Sequence, residues 1–107
     1  MESVEPVPPH PGDLIKVIRK LLARGAYSHS AHVIDERMAE RGFDFDDILK
    51  IIELGDIDGK IVRGRRDGEW RCRVVGKLNW HPREAGVVTV VIREKKLLFV
   101  TVKWIDP

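Results

Sequence analysis

Cysteine is nearly absent from this 107-residue chain, with Cys72 the single example. One thiol forms neither an internal disulfide nor a multi-thiolate zinc site, so cysteine-rich metal motifs are excluded and a reducing cytoplasm is the expected setting. Long apolar runs are missing as well. The longest, VVTVVI and LLFVTV, fall far short of the roughly 20 residues a membrane span needs, and the expectation is a soluble protein with no membrane contact. The opening MESVEPVPPHPG carries acids and four prolines where a secretory signal has a basic start and an apolar stretch. It reads as a flexible arm over residues 1–12, with one domain over 13–107. Internal repeats are lacking, and so is a carboxylate cluster able to hold paired magnesium ions.

What is present is globular in composition, 43% hydrophobic and 34% charged. The formal net charge is only +2, but it is unevenly spread. Residues 1–56 hold 7 Lys and Arg against 11 Asp and Glu, a net of −4, whereas residues 57–107 hold 12 against 6, a net of +6. A basic half on a near-neutral chain is the footprint expected for a polyanion partner, or simply the solvated face of a sheet.

The apolar period is helical at first. Leu14, Val17, Ile18 and Leu21 fall on one face after Asp13, with Gly25 as a stop. Ser28 or Ser30 caps a second expected helix through Arg41, with Ala31, Ile34 and Met38 as its buried stripe and Gly42 as its end. Asp44 or Asp46 caps a third, which carries Ile48, Leu49, Ile51 and Ile52 to Gly55. After Gly55 the period becomes 2. The Asp67-Gly68 pair signals a hairpin, and in EWRCRVVGKL the residues Trp70, Cys72 and Val74 share one face while Arg71, Arg73 and Lys77 share the other. GVVTVVIR and LLFVTVKWI are nearly continuous apolar runs, as for strands covered on most of both faces. The predicted class is therefore α+β, with three N-terminal helices packed on one face of a three- or four-stranded antiparallel sheet. The expected core contains Leu14, Ile18, Met38, Ile48, Ile52, Val90 and Val100.

The segment SHSAHVIDERMAERG, residues 28–42, is the densest in functional groups. On a helical wheel Arg37 and Arg41 lie roughly 40° apart, whereas His32 is about 140° from Arg37. His29, His32 and Glu36 form a second ridge with spacing suited to a divalent ion, and a metal-dependent enzyme on those three is one reading. A capped helix with a solvated face is the plainer one, with Arg37 or Arg41 paired to Glu36, Glu40 or Asp44. Of the three tryptophans, Trp80 has the context of a ligand contact, beside His81 and Arg83 in a polar loop, while Trp70 and Trp104 read as strand packing. Arg63, Arg65 and Arg66 flank the hairpin turn, where they track phosphates or stay solvated.

His32, Arg37-Met38, Glu40-Arg41-Gly42, Phe43-Asp44 and Gly55, with RCRVVG at 71–76 and TVKW at 101–104, resemble the bacterial domain-of-unknown-function family number 4258 over residues 27–106. By that resemblance the chain is similar to RelE-like and MqsR-like toxins, compact α+β ribonucleases encoded beside an antitoxin. The resemblance implies a toxin-like RNA-binding protein, a metal-independent endoribonuclease held by an antitoxin, with no cofactor. Such chemistry needs an acid or base and fixed cations around the phosphorus. His32, Arg41 and Arg71 would be the catalytic set, and Arg37, Arg63, Arg65, Arg73, Trp80 and Lys103 the RNA contacts. Lys103 stands where the family usually has tyrosine; it binds phosphate but does not stack on a base. A non-catalytic interaction module keeping the same fold and basic face is the alternative from another class.

Overall fold

The computed structural model describes residues 7–30 and 42–105. Helix α1 (Pro11–Ala23) begins where Pro11, with no N–H to satisfy, follows His10, whose Nδ1 accepts from Gly12 N at 3.0 Å. It starts three residues earlier than a helix capped by Asp13 would, which takes Pro11 and Gly12 out of the expected arm and leaves that acid in the favourable first turn. Strand β1 (Tyr27–His29) follows. Helix α2 (Phe45–Leu54) has a reciprocal capping box in which Asp44 accepts from Asp47 N and Asp47 accepts from Asp44 N, at 2.9 and 3.0 Å. Strands β2 (Asp56–Arg63), β3 (Glu69–Lys77), β4 (Glu84–Ile92) and β5 (Lys96–Trp104) complete the chain.

The sheet has five strands in the order β1-β5-β4-β3-β2. Four run antiparallel in sequence, while β1 pairs in parallel with β5 through Tyr27 opposite Leu97 and His29 opposite Phe99. This overturns the expected class. Among the described residues there are two helices, and the sheet is mixed with five strands instead of antiparallel with three or four. The difference arises at residues 27–29, read as the lead-in to a helix. Their Tyr and flanking β5 supply strand pairing across about 70 residues, which no local periodicity reveals.

Both helices lie on one face. Leu14, Ile15, Ile18 and Leu21 of α1 and Ile48, Ile51 and Ile52 of α2 bury against Cys72, Val74, Val87, Val91, Leu97, Phe99 and Val102. Arg19 ties the layers together by donating to the carbonyls of Glu53 and Gly55 at 2.9 and 2.7 Å, at the C-terminal end of α2 where carbonyls lack helical donors. Four of the expected core residues, Leu14, Ile18, Ile48 and Ile52, occupy this layer. Met38 lies outside the described residues. Val90 is buried and Val100 half-buried, but they belong to the other face, because side chains alternate along β4 and a bulge at Val100 keeps it beside Leu98.

Candidate nucleic-acid interface

The register defines the face opposite the helices row by row. Ser28, Leu98, Val90, Arg71 and Val62 form one row, Thr101, Val88, Arg73 and Asp58 the next, and Lys103, Gly86, Val75 and Asp56 a third. This face is aliphatic along most of β4 and β5, with Arg71 and Arg73 on β3, Lys103 near the end of β5 and Asp56 and Asp58 on β2, which explains why β4 and β5 read as nearly continuous apolar runs. Ser30, Gly64, Arg65, Glu69, Arg71, Val90, Ile92, Leu98 and Val100 line a groove of about 290 Å³ on it. That volume is at the low end for a small-molecule pocket, so a ligand seated here also spreads along the sheet.

Each polar group of the groove has a local reason for its place. Ser30 is held by its N–H to Phe99 O at 3.0 Å and by its hydroxyl, which donates to Val100 O at 2.9 Å. Glu69 folds across Gly64, where a side chain would meet Glu69 Cβ at 2.5 Å. Arg65 and Arg71 are exposed, and neither has an ion-pair partner among the described residues. Arg73 is engaged differently. Its guanidinium pairs with Asp58 across the β2–β3 ladder, and its stem lies over Gly86, where a Cβ would meet Arg73 Cδ at 3.1 Å. Arg63 likewise reaches Asp67, at 3.4 Å on an exposed turn where such a pair contributes little.

The sequence-predicted residues are thus only partly gathered. Arg71 and Arg65 share the groove, Lys103 is exposed two rows away on the same face, and Arg73 lies between them in its ion pair. Trp80 is elsewhere. Arg71 to Lys77 alone spans about 20 Å of strand at about 3.3 Å per residue, and Trp80 lies beyond, in the β3–β4 loop. There it is 53% exposed, its indole N–H donates to Asp47 Oδ1 at 3.1 Å, and its ring stands edge-on to Trp104. His81 stacks on Trp104 with centroids 4.0 Å apart and accepts from Arg83 N through Nδ1. His29 sits in β1, edge-on to Phe45, and no metal-binding group of three His, Cys, Asp or Glu occurs among the described residues. His32, Glu36, Arg37 and Arg41 lie outside them.

Cys72 is 3% exposed, and burial pushes its thiol up to about 12. It is protonated at neutral pH and packs as a small apolar group, as its alternation with Trp70 and Val74 suggests. Glu69, Ser30 and Gly64 were not legible as site residues. The only signal for Glu69 is its position two residues before Arg71 on one strand, hence on the same face. Comparison with protein-family models, curated proteins and solved structures finds no match to this chain. The family resemblance therefore rests on the motif residues alone.

Proposed function

We propose that this chain is a toxin-like RNA-binding protein that takes single-stranded RNA along the face opposite its helices. The observation that carries the reading is the pair Arg65 and Arg71, exposed and without ion-pair partners among the described residues, lining a groove whose floor is Val90, Ile92, Leu98 and Val100. Fixed cations beside a shallow floor suit a phosphodiester strand, whose charge supplies most of the affinity and whose bases lie on the floor. Metal-independent cleavage belongs to the same reading. Arg71 would hold the charge that builds on phosphorus while the RNA's own 2′-hydroxyl attacks and the bond to the 5′-oxygen breaks, leaving a 2′,3′-cyclic phosphate. Glu69, the one carboxylate among the described residues that line the groove, would take the hydroxyl proton, and water would protonate the departing 5′-oxygen. An antitoxin encoded nearby and a cytoplasmic setting complete the proposal; no helix among the described residues is long and apolar enough to cross a membrane.

The aliphatic floor favours one second reading, a non-catalytic module that docks a partner segment on Val90, Leu98 and Val100. Binding of a labelled single-stranded RNA across a salt series separates the two. Arg65→Ala and Arg71→Ala are each expected to weaken binding severalfold and to flatten the salt dependence by about 0.7 for each phosphate left without its cation. Equal binding by wild type and both variants would remove the groove from the interface.

A further inference from the structure

The β4–β5 turn is built against its own sequence. Arg93 and Glu94 stand at φ 52° and 56°, two consecutive left-handed residues of which neither is glycine or asparagine. Lys95 N donates to Ile92 O at 2.9 Å, so these are the central residues of a tight hairpin turn in which Asn-Gly is the relaxed choice. The conformation carries Arg93 across the neighbouring β2–β3 turn. Arg93 N donates to Gly68 O at 2.8 Å, and a Cβ on Gly68, itself at φ 81°, would meet Arg93 Cγ at 2.9 Å. The Arg93 stem is thus seated on glycine while the residue remains exposed, and among the described residues no ion pair engages its guanidinium.

Arg93 directly follows Ile92, which lines the groove opposite Glu69. Arg71 is opposite Val90, so Arg93 lies three residue steps further along the sheet, about 10 Å at about 3.3 Å per residue. Strain at two adjacent residues persists only where something compensates for it, and here it seats the Arg93 stem on Gly68 at the hairpin end of the sheet, one residue past Ile92 of the groove.

We propose that Arg93, seated on Gly68 by the strained turn, is a second phosphate subsite that takes a phosphodiester of the same RNA strand beyond the one on Arg71. This rests on the RNA reading above, and it adds a residue to which the motif pattern assigns no role. The step is one of binding only. It predicts a trade of stability for affinity, since the turn that would fold best would bind less well.

The test compares wild type, Glu94→Gly and the double variant Arg93→Asn with Glu94→Gly, using a fluorescent 12-nucleotide oligouridylate as the probe. The double variant has the wild-type net charge, because it loses one charge of each sign. Both variants are expected to melt higher, the double variant by about 5 °C. Glu94→Gly should bind at least as tightly as wild type, whereas the double variant should bind severalfold more weakly, with a salt slope smaller by about 0.7. If wild type binds and the double variant binds equally well, the Arg93 subsite is wrong while the RNA reading stands. If wild type does not bind the oligonucleotide, both fall. A double variant that melts no higher than wild type would overturn the trade of strain for binding.

Discussion

Gly55→Ala is expected to cost about 3 kcal/mol, the upper range for forcing extra volume into a packed interior. At roughly 5 °C per kcal/mol for a domain of this size, the melting temperature should fall by about 15 °C. Gly55 has φ −83°, so the cause is space and not backbone conformation. A Cβ there would meet Val75 O at 2.4 Å and Ile51 O at 2.6 Å, both backbone atoms that cannot swing aside. Gly76 faces it, with its own Cβ position 3.3 Å from Gly55 Cα, so the end of α2 and β3 touch backbone to backbone. Gly25→Ala is the matched control. A side chain there meets nothing within 4 Å and pays only for φ 70°, about 1 kcal/mol. Thermal melts of the two variants give the comparison, and equal losses would mean that the α2–β3 contact is looser than described.

Wild-type protein is expected to cut single-stranded RNA in the presence of a chelator and to leave DNA of the same sequence intact, since DNA lacks the 2′-hydroxyl. Arg71→Ala should lower the cleavage rate by about a hundredfold or more, as for loss of one oriented charge at a transition state. Glu69→Gln should fall in the range of about a hundred to ten thousandfold if Glu69 takes the proton. His32→Ala in the same series decides between that histidine and Glu69, because only one of the two should show the larger loss. Timed gel assays under single-turnover conditions measure all four proteins. Cleavage that appears only with added metal would contradict the chemistry, and RNA binding without cleavage by any of them would favour the non-catalytic module.

Local signals carried much of the fold. The Asp44 cap and the apolar positions 14, 18, 21, 48, 51 and 52 specify α1 and α2 because helical period and capping act within a few residues, whereas Pro11 and Gly12, expected in the arm, belong to the first turn of α1. The change of period after Gly55 and the alternation of Trp70, Cys72 and Val74 with Arg71 and Arg73 specify β3 and its two faces. What was hidden is non-local. Three residues of β1 have no periodicity to read, and their parallel partner lies at the far end of the chain. The Arg73 pair with Asp58 depends on the register shift in β2 between Asp58 and Val62, which no residue count anticipates. Arg63 and Asp67, four apart, were within reach of inspection. The groove draws on Ser30 just after β1, the β2–β3 turn, β3, β4 and β5, so only Arg65 and Arg71 had a signal, through charge. Arg93 had none, since a tight turn without glycine or asparagine does not announce itself.

The most direct test of the proposed RNA-binding face is a methyl-resolved NMR titration of the intact chain with the oligouridylate. Val90, Ile92, Leu98 and Val100 lie on the groove floor, while Ile18, Ile48 and Ile52 are buried on the helix side of the same sheet, so the two sets report on opposite faces of one molecule. Shifts that grow with RNA at the first four and stay small at the last three are the predicted result. Shifts confined to the helix side or to the Trp80 loop, or none at saturating RNA, would contradict it.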